Sequence, residues 1–240
     1  MVKNHLKRIA APQTWRIARK KSTFITRPKP GAHSRAHSIS LSILMRELTK
    51  VTKSSKEVKY VIHKKEVLVD GTKRHDPKLP VGIMDVVEFP QLAETFRVSL
   101  DEKGKLNAIP ISDKEKNLKV CMIVNKQWIK LKGLKNKGTK LQIQLNDGRN
   151  ILLDDDKAGY KTGDSLLLEV PSQKIKECLK FEKGAIVFLL GGKHAGSLGL
   201  IEEIFDKNII FQTQSNEKYE TSKKYAFIVG KKDPKITVVK

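Results

Sequence analysis

Residue types able to do covalent or metal chemistry are present in this sequence, but they do not gather. His5, His33, His37, His63, His75 and His194 include no H-E-x-x-H pair and no Cys/His metal spacing. There is no G-x-S-x-G elbow to expose a nucleophilic serine. Asp154-Asp155-Asp156 is the one dense acidic cluster; consecutive carboxylates point in different directions, so it reads as a polar loop tip and not as a Mg²⁺ site. The stretch from Gly191 to Gly199 holds four glycines in nine residues. It lacks the G-K-[ST] of a phosphate-binding P-loop and the G-x-G-x-x-G of a dinucleotide site, and it lies between predicted strands. Two uses remain for it: plain turn geometry, or bare backbone approaching phosphates with Lys193 and His194 at the tip. No cofactor, metal or small-molecule substrate is expected.

Charge is where the sequence speaks loudest. Lys and Arg total 48 against 26 Asp and Glu, a net of +22. Such an excess repels itself in the folded state and is relieved by a polyanion, with nucleic acid the leading partner and an anionic membrane surface the rival. No apolar run approaches the roughly 20 residues that span a bilayer. Cys121 and Cys178 each sit in an apolar stretch and read as small core residues in a reducing compartment.

These residues need elements to position them. Residues 1–39 form a basic, Pro-interrupted stretch; the first 46 residues carry eleven Lys/Arg and no Asp or Glu. With Trp15 and Phe24 as its largest apolar residues, it is expected to be an extended arm, flexible to about His37 and ordered only on a partner. An organellar transit peptide is the competing reading, and no sustained amphipathic helix supports it. Residues 40–101 read as a small helix–helix–hairpin module. Leu41, Leu44, Met45 and Leu48 make a helical stripe, Ser54 and Glu57 have capping-box spacing, and Val58, Val61 and Ile62 point inward. Glu66 to Val69 reads as a strand ending on the Asp70-Gly71 turn pair, and Pro80 to Val86 as one further extended run. Residues 102–173 read as β: strands near Val120–Val124, Trp128–Leu131 and Leu166–Val170, with an alternating hairpin from Leu141 to Leu153. Residues 174–240 are again β around the glycine-rich loop. The fold class is therefore α+β, mostly β. Along Lys126-Gln127-Trp128-Ile129-Lys130-Leu131-Lys132, strand alternation puts Trp128 and Lys130 on one face, where an aromatic beside ammonium groups can stack on a base. A strand with one solvated face has the same pattern.

In this order the segments resemble a known family, ribosomal protein "S four e" of the small subunit of archaea and eukaryotes. His5-Leu6-Lys7-Arg8-Ile9-Ala10-Ala11-Pro12 with Trp15, then Arg27-Pro28 and Gly31 followed by His33, resemble the family's opening signature. Val69-Asp70-Gly71-Lys73-Arg74, with Thr72 inserted, and Pro80-Val81-Gly82-Ile83-Met84-Asp85-Val86 resemble its V-D-G-K-x-R and P-x-G-x-M-D-V segments. Lys183-Gly184, then Gly191-Gly192, Gly196 and Gly199 resemble a KOW motif. The resemblance covers nearly the whole chain. It implies an alpha-L ("S four"-type) RNA-binding module over 40–101, a central β domain, and a C-terminal SH3-like KOW β-barrel. It also implies rRNA and neighbouring ribosomal proteins as partners, a place in the cytoplasmic small ribosomal subunit, and an archaeal-type member.

The expected rRNA contacts follow from the cations and the loop. In the arm they are Lys3, Lys7, Arg8, Arg16, Arg19, Lys20, Lys21, Arg27, Lys29 and Arg35. In the helical module they are Arg46, Lys50, Lys53, Lys56, Lys64, Lys65, Lys73 and Arg74. Further along they are Lys126, Trp128, Lys130 and Lys132, then Gly192, Lys193, His194 and Gly196. The enzymatic alternative is a pseudouridine synthase, a class that also carries alpha-L modules and needs an Asp in an R-L-D context. Here Arg149 is followed by Asn150-Ile151. A KOW transcription factor is a third reading, disfavoured because its usual partner domain is not seen.

Overall fold

The computed structural model describes residues 4–130, 139–154, 156, 159–213, 216–231 and 233–239. The chain opens with β1 (Leu6–Lys7), β2 (Phe24–Ile25) and β3 (Ser38–Ser40), then α1 (Leu41–Ile43), which runs on into a π-helical turn over Leu44–Leu48, and α2 (Ser55–Lys64). Short strands β4 (Leu68–Val69), β5 (Thr72–Lys73), β6 (Pro80–Gly82) and β7 (Val86–Phe89) lead into β8 (Glu94–Leu100) and β9 (Leu106–Pro110). The centre holds β10 (Leu118–Lys130), β11 (Thr139–Leu145), β12 (Asn150–Leu153), β13 (Ser165–Glu169) and β14 (Lys174–Leu179). The last part holds β15 (Ile186–Leu189), β16 (Leu198–Ile204), β17 (Asn208–Thr213), β18 (Lys218–Ser222) and β19 (Ala226–Gly230). The class is mostly β, as expected.

Three five-stranded antiparallel sheets follow one another, in the orders β5-β4-β7-β8-β9, β12-β11-β10-β13-β14 and β18-β17-β16-β15-β19. β1 pairs with β2, and β3 with β6. Asp70 and Gly71 take φ values of 51° and 68°, the doubly left-handed turn that closes the β4–β5 hairpin. Alternation in β11 places Leu141, Ile143 and Leu145 inward, where they form a compact core with Cys121, Ile123, Leu166 and Leu168. A larger core joins the rest, from Trp15 through Leu44 and Val98 to Phe188 and Phe227. Residues 233–239 return over β8. There the fully buried Arg97 guanidinium donates to the carbonyls of Leu118 (2.9 Å) and Thr237 (3.0 Å) and pairs with Glu115, while Ser99 Oγ donates to the Val238 carbonyl at 2.6 Å.

Three expectations need correction. The N-terminal segment is not an extended arm. Leu6, Ala11, Trp15 and Ile25 are buried in the large core, although Ile9 and Phe24 stay exposed. Trp15 is 1 % exposed, its indole N–H donates to the Ser38 carbonyl at 2.8 Å, and the Thr14 carbonyl accepts from Leu106 N–H. Burying one tryptophan contributes roughly 4–6 kcal/mol, enough to order a short segment whose backbone is paired. Second, Pro80 to Val86 is not one strand. The Asp85 carboxylate turns back onto Gly82 N–H at 2.8 Å and breaks the run, so β6 joins β3 while β7 joins β4 and β8. Third, the two strands expected near Val120 and Trp128 are one, β10, with a bulge between Ile123 and Asn125 where its partner changes from β13 to β11.

Candidate nucleic-acid interface

α2 begins on the expected capping box. Ser54 Oγ accepts Glu57 N–H at 3.2 Å, and the Glu57 carboxylate accepts Lys53 N–H at 2.8 Å. Those bonds hold the Glu57 carboxyl below its ordinary value, the Lys53 bond first. Val58 and Ile62 are fully buried beneath the helix. The opposite stripe, at i, i+3, i+4 and i+7, is Lys56, Lys59, Tyr60 and His63, all exposed, with Lys64 and Lys65 closing the helix. Past β5, Arg74 is exposed, and the His75 ring lies parallel to that of His63 with centroids 6.5 Å apart. None of Lys56, Lys59, Lys64, Lys65 or Arg74 has a carboxylate within 4.0 Å among the described residues. By contrast, Lys73 pairs with Glu66 at 2.9 Å. This face offers several ammonium groups at helical spacing and an aromatic ring 59 % exposed, an arrangement that meets consecutive phosphates with a base or sugar between them.

The other expected contacts scatter. Lys7, Lys20, Lys21, Arg35, Lys50, Lys53, Lys130 and Lys193 are exposed. Lys29 is exposed but tied to Asp76 at 2.6 Å, Arg16 donates to Asn107, and Arg46 donates to Ser55 Oγ at 2.7 Å. Arg27 is half-buried. Arg19 turns inward onto the carbonyls of Ile9, Ala11 and Pro12. Arg8 is corrected outright: it is 2 % exposed and braces Ala18, Ser22 and Glu47 from inside the chain. Lys126 is held by Asp156 and the Tyr160 carbonyl, while Trp128 on the same strand is 54 % exposed. Gly192 is exposed with φ 84°, at the tip beside Lys193. Gly196 is buried; a Cβ there would stand 1.9 Å from the Asp101 carbonyl oxygen, so its bare backbone meets protein and not a phosphate. Lys3 and Lys132 lie outside the described residues.

A second charged cluster is buried. Lys119, 1 % exposed, places its ammonium 2.7 Å from Asp70, 2.5 Å from Asp85 and 3.1 Å from Asp147. Arg149 bridges Asp70 and Asp147, and His33 meets Asp85 at 2.9 Å. Burial opposes the charge on Asp85, but Lys119, His33 and the Gly82 N–H overcome it and hold the carboxyl far below its ordinary value. Asp147 is likewise lowered: burial works against it, while Lys119 and Arg149 prevail. Burial also opposes the Lys119 charge, and Asp85 and Asp70 more than reverse that, so its pKa is raised. Beside it, burial first of all pushes the Cys121 thiol up; both cysteines are free, and neither is poised as a nucleophile. Every cation here is neutralised in place. The cluster therefore joins the N-terminal segment, the β4–β7 region and the central sheet, and leaves no unpaired cation for a phosphate.

Sequence reasoning missed Lys59, Tyr60 and His63 on the open face, although the polar i, i+3, i+4, i+7 pattern was there to be read. It had no signal for the pairing of Lys119 with Asp70 and Asp147, residues 49 and 28 positions away.

Comparison with known proteins decides the lineage. The model of the "Ribosomal family S4e" matches residues 92–175, and that of the "RS4NT (NUC023) domain" matches residues 2–36. The small ribosomal subunit protein eS4 of Methanocaldococcus jannaschii is 40 % identical over 97 % of this chain and 96 % of its own length. This chain belongs to the ribosomal S4e family. The S4e protein of Methanosphaera stadtmanae is 38 % identical, with 99 % of this chain and 96 % of the relative covered. The crystal structure of the 30S ribosomal protein S4e from Thermoplasma acidophilum superposes with a TM-score of 0.66 at 27 % identity, over 81 % of this chain and 95 % of that one. S4e is a family of ribosomal structural proteins and not of enzymes, and the named S4e relatives are archaeal, as the resemblance implied. The pseudouridine synthase alternative finds no support among them.

Proposed function

We propose that this chain is a structural, non-catalytic constituent of the small ribosomal subunit that binds rRNA through surface cations and supports translation. The observation that carries the reading is the α2 face: lysines at helical spacing, without carboxylate partners, flanking an exposed Tyr60. Phosphate contacts from such a face supply affinity, and the shape of the folded RNA supplies specificity. Residues 40–101 act as an alpha-L-type module, 102–173 as a central β domain, and 174–240 as a KOW-type barrel. The N-terminal residues 1–39 are a basic extension whose described part, 4–39, packs on the module, with Lys7, Lys20, Lys21 and Arg35 still facing outward. Neighbouring ribosomal proteins are the remaining partners, and the cytoplasmic small subunit is the place of work. Among the described residues no helix is long and apolar enough to cross a membrane, and no His/Cys/Asp/Glu group could hold a metal.

The test is sedimentation of the protein with small ribosomal subunits through a high-salt wash, together with binding of purified protein to small-subunit rRNA at several salt concentrations. Co-sedimentation and a steep fall of affinity with salt are expected. A protein that stays at the top of the gradient, or that isomerises uridine in the rRNA, overturns the reading.

A further inference from the structure

Two cavities meet where the β8–β9 turn, the glycine-rich β15–β16 turn and the N-terminal segment converge. Each is an open cleft of about 410 Å³, and they share Glu102 and Val239 as a common wall. The first is aromatic on one side. The His194 and Tyr219 rings stack with centroids 3.9 Å apart and 30° between planes, and buried Phe211 lies 6.0 Å from each. The Tyr219 hydroxyl donates to Glu217, which fixes the ring. The second cavity is lined by three cations, Arg16, Lys103 and Lys105, against two carboxylates, Asp101 and the shared Glu102. Neither lysine has a carboxylate within 4.0 Å among the described residues.

These walls are built into the fold. The Asp101 carboxylate accepts the N–H groups of Lys103 and Lys105 at 2.9 and 3.0 Å, holding the turn that carries Glu102. That turn is pressed against the glycine-rich one. The missing Cβ of Gly196 leaves room for the Asp101 carbonyl, and a Cβ on Gly104 would stand 3.2 Å from the Ala195 methyl.

We infer that the paired cavities hold one unpaired guanosine nucleotide of an RNA strand, its base on the His194–Tyr219 stack against Glu102 and its phosphate on Arg16, Lys103 and Lys105. The inference rests on the RNA-binding reading above and deepens it. A carboxylate only accepts hydrogen bonds and repels phosphate. Beside a stacking platform it therefore suits a base edge, and guanine is the common base with two adjacent donors, N1–H and the N2 amino group. The cations one cavity away then sit where the backbone of that nucleotide passes. Aromatic stacking alone contributes about 1–3 kcal/mol per base and accepts any base, so Glu102 is the selective element. An arginine side chain from a protein partner would also match the aromatic pair and Glu102. The field of a chain with net charge +22 opposes a cationic partner and favours RNA.

The experiment uses the full chain and three uridine oligonucleotides with a single central guanosine, adenosine or inosine, followed by fluorescence anisotropy and by the His194 ring-proton signals. Guanosine is expected to bind roughly tenfold tighter than adenosine, and inosine, which lacks the N2 amino group, to lose most of that margin. Glu102→Gln should bring the guanosine-to-adenosine ratio near one. Lys103→Ala with Lys105→Ala should weaken all three alike and flatten the salt dependence. Both variants change exposed turn residues, and circular dichroism checks that they fold. Equal affinity for guanosine and adenosine, or a ratio untouched by Glu102→Gln, overturns the inference. So does an arginine-rich peptide that displaces the guanosine oligonucleotide and loses its own binding in Glu102→Gln. Binding of the same preparation to small-subunit rRNA separates the failures. A protein that binds rRNA without discriminating the oligonucleotides refutes this site alone, and one that binds neither refutes the RNA reading as well.

Discussion

The α2 face and the Lys119 cluster are both rich in charge, and they use it in opposite ways. On α2 the cations stand in water and, among the described residues, pair with no carboxylate, so each keeps its field for an outside partner. Around Lys119 three aspartates, Arg149 and His33 pair with one another, largely away from solvent. A net charge of +22 therefore cannot be read as a uniform coat. The fraction that can bind is the fraction left unmatched at the surface, and the rest is architecture. The distinction has energetic content. Exposed cations contribute little to folding and much to association, whereas a buried pair that loses one partner leaves a desolvated charge behind.

The largest effect should come from breaking the buried set. Lys119→Met leaves Asp70, Asp85 and Asp147 without their shared cation, and should lower stability by about 3–5 kcal/mol in urea melts followed by circular dichroism. A loss below 1 kcal/mol would mean the cluster is solvated and the contrast false. Acid should sharpen the same point. Asp85 and Asp147 have depressed folded pKa values, so the stability they lend is complete above the unfolded value near 4 and is lost as pH falls below it toward the folded values. In Lys119→Met that dependence should shrink or reverse, because the carboxylates that lose this ammonium then gain more from protonation. Thermal melts at pH 7, 4 and 3 for both proteins would decide it.

A smaller loss, about 1 kcal/mol, is expected for Ser54→Ala, which removes the α2 cap yet leaves the outward cations in place. The smallest stability change of all should accompany Lys56→Ala, Lys59→Ala and Lys64→Ala together, within about 0.5 kcal/mol per site. The same triple variant should reduce the slope of log affinity for rRNA against log salt by roughly two to three, since each lysine meets at most one phosphate. An unchanged slope would place the RNA elsewhere on the molecule.

Much of this molecule was legible in one dimension. The capping box at Ser54 and Glu57, the Asp70-Gly71 turn, the Leu141–Leu153 hairpin and the mostly β class all come from local rules, because a cap, a left-handed turn and a two-residue alternation involve only near neighbours. The basic character and the family signatures are likewise carried by residue identity and order. What the tertiary structure alone decided is where each charge goes and what the N-terminal segment does. Lysine reads the same in sequence at 59 and at 119, yet one side chain is exposed and the other 1 % exposed among three aspartates. Arg8 and Trp15 look like parts of a solvated arm until a core built by distant strands offers them a place. The physical reason is the same in each case: burial and pairing belong to contacts between residues tens of positions apart, and no local pattern records which of them the fold will bring together.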